Sequence, residues 1–95
     1  MPAWRQALAL APEDPRGHNN LGVALVATGK FDEAIVEYRK SLELNPSSSQ
    51  THNNLGSALA EMGRVNEALP EFQKSVELNP ENKNGVEMLK KLRSN

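Results

Sequence analysis

The chain has 95 residues, enough for one domain with a thin core, since a chain of this length buries little more than ~60% of its unfolded surface. Apolar residues make up 38%, charged residues 24% and aromatics 4%, and eleven basic side chains face twelve acidic ones for a formal charge of -1. That balance is too apolar for a disordered chain and gives no bulk electrostatic case for nucleic acid or an anionic membrane. There is no cysteine, which excludes disulfides, thiolate metal sites and cysteine nucleophiles. No apolar run approaches the ~18 residues of a membrane span, and the N-terminus lacks a secretory pattern, so a cytoplasmic setting is expected.

Residues 1–11 carry Trp4, Ala7, Leu8 and Leu10, followed by Pro12. At a spacing of 34 these match Tyr38, Ser41, Leu42, Leu44 and Pro46, so residues 1–14 read as the second helix of a half repeat. Asp14 is a good N-cap, and Pro15 suits the first position of the helix that follows. In that helix Leu21, Ala24, Leu25 and Thr28 share a face, and Gly29 ends it. A second helix follows, with Phe31, Ala34, Ile35, Tyr38 and Leu42 at helical spacing, closed by Pro46.

The next unit is a near copy. Aligned at a spacing of 34, residues 15–48 and 49–82 are identical at seventeen positions, including His18-Asn19-Asn20-Leu21-Gly22 against His52-Asn53-Asn54-Leu55-Gly56. Ser48 and Asn82 repeat the N-cap, Gly63 repeats the turn, and Val65, Ala68, Leu69, Phe72 and Val76 repeat the apolar face. Gly22 and Gly56 lie mid-helix, where glycine costs ~1 kcal/mol against alanine, so a close crossing is expected there. Pro70 falls inside the second helix of this unit and is expected to kink it if the helix begins near Arg64, less so if Asn66 is the cap. Residues 83–95 start like another first helix, but Lys90 replaces the mid-helix glycine and Lys91 and Arg93 add charge, the pattern of a solvating terminal cap.

These residues carry a resemblance. Leu21-Gly22, Ala34, Tyr38 and Pro46, and then Leu55-Gly56, Ala68, Phe72 and Pro80, resemble the pattern of the tetratricopeptide repeat (TPR) family. His18 and His52 stand where that family often has tryptophan, and Leu25 and Leu59 replace a common tyrosine. The resemblance implies an all-α fold, a right-handed TPR superhelix or α-solenoid. It implies a half repeat over 1–14, full repeats over 15–48 and 49–82, and a capping helix over 83–95. It further implies that first helices line a concave groove and second helices the convex face. Charge agrees: residues 30–44 carry seven charged side chains, while residues 15–28 carry only Arg16 and residues 49–62 only Glu61.

A second, nearly uncharged stripe runs along the first helices through Arg16, Asn20, Val23 and Ala27, then Gln50, Asn54, Ser57 and Glu61, and extends through Asn84, Met88 and Lys91. Asparagine carries both a donor and an acceptor and suits a peptide backbone. Asn20 and Asn54 are similar to the asparagine ladder of the TPR superhelix in O-linked N-acetylglucosamine transferases, which implies main-chain binding. Asn19 and Asn53 read either as part of the groove or as bridges between helices. The basic clamp that other TPR domains use for a C-terminal carboxylate is missing its lysines and arginines, since the matching positions hold Asn19, Val23, Asn54, Asn84 and Met88.

No catalytic set is expected. His18 and His52 read as packing residues, not metal ligands. The carboxylates Glu33, Glu37, Glu67 and Glu71 read as an exposed face, and Ser47-Ser48-Ser49 as a turn and cap. The expected function is protein–protein interaction, with an extended peptide or partner segment in the groove and no cofactor, in a piece of a larger scaffold or adaptor. Two alternatives remain at this point. One is homo-oligomer assembly through terminal helices, with Trp4 and Leu8 as the self-association residues; the other is the substrate-recognition arm of a glycosyltransferase.

Overall fold

A computed structural model describes residues 14–93. Trp4, Leu8, Pro12 and the expected half repeat at the N-terminus lie outside the described residues, as do the last two residues of the expected cap. Five helices follow in order: α1 (Pro15–Ala27), α2 (Phe31–Leu44), α3 (Ser49–Glu61), α4 (Val65–Leu78) and α5 (Lys83–Arg93). Among the described residues there is no strand. Each helix packs on the next, and α1 also touches α3, so the helices pair into hairpins and the hairpins stack.

Each boundary has a local cause. The Asp14 carboxylate accepts from the Arg16 backbone N–H at 2.9 Å, Ser48 Oγ from Thr51 N–H at 3.2 Å, and Asn82 Oδ1 from Gly85 N–H at 3.2 Å. Each satisfies an amide that the first helical turn leaves without a partner. The hairpin turns are Schellman motifs. Lys30 N–H bonds Leu25 O at 2.8 Å and Gly29 N–H bonds Val26 O at 2.9 Å; Arg64 and Gly63 repeat this on Leu59 and Ala60 at 2.9 and 3.0 Å. Gly29 and Gly63 have φ of 80° and 76°, which a β-carbon disfavours. Between hairpins the side chains of Asn45 and Asn79 accept from Ser47 N–H and Glu81 N–H, at 3.3 and 3.2 Å, which turns the chain around Pro46 and Pro80.

The core is one cluster. Ala34, Ile35, Tyr38, Leu55, Ala58, Leu59, Ala68, Phe72 and Leu89 are buried in it, with Leu25, Phe31, Leu42, Leu69 and Val76 packed around them. Thr28, expected on the apolar face of α1, instead follows the helix as its exposed C-cap, and its hydroxyl donates to Leu25 O at 2.9 Å.

The mid-helix glycines make room for rings. A β-carbon on Gly22 would stand 2.5 Å from Tyr38 Cε1, and one on Gly56 would stand 3.1 Å from the Phe72 ring. Each first helix therefore carries a notch that seats an aromatic ring of its own second helix. Tyr38 is 2% exposed and Phe72 0%. Burial pushes the Tyr38 hydroxyl up to about 12.

Pro70 lies at the sixth position of α4, yet the helix runs unbroken from Val65 to Leu78 with Arg64 as its cap. The ring is exposed, in register with exposed Val36 of α2, so it meets solvent rather than a neighbouring helix. Its missing N–H leaves the carbonyl of Asn66 without its helical donor.

Two stability outcomes follow from this packing. Gly22→Ala is expected to lower unfolding free energy by ~1–3 kcal/mol despite alanine's better helix propensity, because buried Tyr38 has nowhere to move. Urea denaturation would read it, and an unchanged midpoint would refute the notch. Pro70→Ala restores a helical hydrogen bond at an exposed site and is expected to raise the thermal midpoint, by roughly 1–3 kcal/mol of stability.

Candidate functional site

The first helices lie side by side on one face of the stack, and an asparagine network sews them together. Asn19, on α1, is 8% exposed. Its Oδ1 accepts from the Thr51 hydroxyl at 3.1 Å and from Asn54 Nδ2 at 3.1 Å, both on α3. Thr51 is itself held by Ser48, whose Oγ donates to Thr51 Oγ1 at 2.9 Å. The chain Ser48–Thr51–Asn19–Asn54 thus runs from a helix cap to a half-buried amide on the face of the first helices.

The next junction uses the same acceptor position with different donors. Asn53 Oδ1 accepts from Asn82 Nδ2 at 3.3 Å and from Asn84 Nδ2 at 3.2 Å. Asn82 spends its second amide hydrogen on Ser75 Oγ at 2.7 Å. Gly85 and Met88 stand where Thr51 and Asn54 stand one repeat earlier, so neither the hydroxyl nor that amide recurs.

Around this seam the expected groove residues divide. Asn20, Val23, Gln50, Arg16 and Glu61 are exposed; Asn53, Asn54 and Ser57 are half-buried; Asn19 is buried. Asn54 keeps its carbonyl and one amide hydrogen beyond its bond to Asn19. Asn19 and Asn53 each commit their carboxamide oxygen to two donors, Asn19 to Thr51 and Asn54 of α3, and Asn53 to Asn82 and Asn84 at the cap and first turn of α5, which makes them bridges between successive first helices.

Charge on this face is low and partly cancelled. Arg16 bonds the Asp14 carboxylate through Nε at 3.2 Å and Nη2 at 3.0 Å. The Arg16 side chain and backbone hydrogen bonds hold the Asp14 carboxyl below the usual carboxylate range, so the pair stays ionised and its field is short-ranged. Arg16, Asn19, Gln50 and Thr51 also line a small polar cleft of ≈ 70 Å³ between α1 and α3. A larger hollow of ≈ 550 Å³, lined by Pro80, Lys83, Val86 and Lys90, involves none of the expected groove residues.

The histidines have partners that sequence spacing did not reveal. His18 Nδ1 lies 2.8 Å from Glu37 Oε1, and His52 Nδ1 lies 2.9 Å from Glu71 Oε1. His52 Nε2 also lies 2.9 Å from the carbonyl of Pro46. Glu37 and Glu71 therefore turn inward, with side chains only 15% and 26% exposed, and are not the free outer-face carboxylates expected. These pairs tie first helix to second within each repeat. Among the described residues no group of three histidine, cysteine, aspartate or glutamate side chains is placed to hold a metal ion. None of the described helices is long and apolar enough to cross a membrane.

Sequence reasoning missed the bridging roles of Thr51 and Asn82. Asn82 was legible only as a cap, and Thr51 has no counterpart hydroxyl at Gly17 or Gly85.

Comparison with known proteins adds to this geometry. A family model described as TPR repeat matches residues 24–63, and one described as tetratricopeptide repeat matches residues 49–82. A search of curated proteins found no match. Among solved structures, the first TPR of Spaghetti (RPAP3) bound to HSP90 peptide SRMEEVD is similar with a TM-score of 0.93. It is 22% identical over 96% of this chain and 72% of that one. The second TPR domain of human RPAP3, in complex with HSP70 peptide SGPTIEEVD, has a TM-score of 0.88 and 26% identity, covering 95% of this chain and 75% of that one. MamA of AMB-1 is 36% identical with a TM-score of 0.77, over 82% of this chain and 46% of that one. With overlapping family matches that together span residues 24–82 laid over stacked, glycine-notched helical hairpins, the chain belongs to the tetratricopeptide repeat family.

Proposed function

We propose that the chain is a protein-interaction module that binds an extended peptide, or an extended segment of a partner protein, across its first helices. The observation that carries this reading is the carboxamide stripe: Asn20 is exposed, and Asn54 is fixed by Asn19 with a donor and an acceptor to spare. A peptide group offers one acceptor and one donor, so such an amide pairs with main chain whatever the side chains are. The human RPAP3 domain, bound to a peptide, supports the same use of the fold. In this reading the module serves within a larger scaffold or adaptor, in line with MamA, where the matched region is 46% of that chain.

The chemistry of the ligand differs from that in the two RPAP3 complexes. Peptides ending in Glu-Glu-Val-Asp bring several carboxylates, which need charged donors for tight capture. Here the middle of the stripe is Asn20, Val23, Asn54, Ser57 and Met88, and Arg16 at its end is already paired with Asp14. The groove is suited to an uncharged stretch.

Two outcomes test the reading. Asn20→Ala combined with Asn54→Ala is expected to weaken binding of a peptide selected from a random phage-displayed library by about tenfold or more, with the thermal midpoint little changed. Equal affinity of the double variant would count against the groove. In fluorescence titration, peptide SGPTIEEVD is expected to show no micromolar binding to the native chain; saturable micromolar binding would reverse the charge argument.

A further inference from the structure

The two seams between first helices are built from different parts, and the difference has a direction. Asn19 and Asn53 occupy the same repeat position, and each receives a carboxamide N–H from the next first helix. At the first seam the donor is Asn54, the sixth residue of α3; at the second it is Asn84, the second residue of α5. Four residues are about one turn, so the tethered amide moves ~6 Å toward the N-terminus of its helix. The cause lies in sequence. Met88 replaces the amide at the sixth position and Gly85 removes the hydroxyl at the third, while Asn82 and Asn84 replace Ser48 and Gln50 and restore both donors.

A tethered amide is what an extended ligand needs. One N–H is spent on the bridge, the side chain loses little further freedom on binding, and one donor and one acceptor remain. Asn84 meets this description and is exposed, whereas Met88 is half-buried and has no amide to offer.

We propose that the ligand-binding array changes register at the third first helix. It runs Asn20, Asn54 and then Asn84, not Met88, with Asn19 and Asn53 as positioning residues for Asn54 and Asn84. This rests on the peptide-binding reading above. The ligand strand crosses α5 near its N-terminus, and Asn84 is the third main-chain contact.

The test uses the library-selected peptide and the full chain, with affinity measured by calorimetry and folding checked by thermal unfolding. Asn84→Ala is expected to weaken binding about fivefold, and Met88→Ala by under about twofold. Asn53→Ala is expected to weaken binding by a similar factor to Asn84→Ala and to shift the side-chain amide resonances of Asn84. Asn53→Asp, which keeps an acceptor oxygen, restores both; a purely structural asparagine would not show this acceptor-specific rescue. The reverse ranking, with Met88→Ala costly and Asn84→Ala neutral, overturns the register. If Asn54→Ala weakens binding and Asn84→Ala does not, the register alone fails. If neither matters, or no library peptide binds, the groove reading fails and the register with it.

Discussion

The seating of an aromatic ring in a glycine notch is the contact on which the rest of this molecule depends. With no β-carbon on Gly22 or Gly56, the faces of Tyr38 and Phe72 approach the first helix closely enough to be nearly sealed from water. That fixes how far apart the two helices of a hairpin sit and how they are rotated. Rotation then decides which residues of the first helix point at the second helix, at the neighbouring repeat, or at solvent. Leu55 and Leu59 go to the core, Asn19 to the seam and Asn20 to the open face. The polar stripe is thus the surface left over once packing has taken its share of each helix.

Polar groups at the seams follow the same logic. A buried asparagine is tolerable only when its hydrogen bonds are made, and Asn19 gets two donors from α3. The His18–Glu37 and His52–Glu71 pairs do the equivalent inside each hairpin, linking the first helix to the second across a partly buried gap. Side chains that read as functional candidates in isolation are in large part structural ties, and the free donors and acceptors belong to fewer residues than the stripe contains.

Much of the fold was legible because its signals are local. The spacing of 34, the caps at Asp14, Ser48 and Asn82, and the left-handed glycines at 29 and 63 each act within a few residues of where they stand. The glycine notches were legible as close crossings, but not that a ring rather than a backbone would fill them. What was not legible depends on rotation. Asn19 and Asn20 are adjacent in sequence and about 100° apart around a helix, which separates a buried bridge from an exposed contact. Glu37 and Glu71 sit on helices whose other charges face water, and only the position of a histidine 19 residues away turns them inward. Pro70 was expected to kink its helix; α4 is continuous through it from Val65 to Leu78, with Arg64 as the cap and the ring exposed.

Burial is uneven between the two near-identical hairpins. Leu55 is 2% exposed and Leu59 1%, while their counterparts are less protected, Leu21 at 8% and Leu25 only half-buried. In a linear array each unit draws strength from the faces of its neighbours, and among the described residues the α3–α4 hairpin is the one packed on both sides, against α2 and α5. Asn20 belongs to α1 and Asn54 to α3. A strand laid along α1, α3 and α5, as proposed above, would act as a splint: the tighter it is held, the less often neighbouring hairpins part.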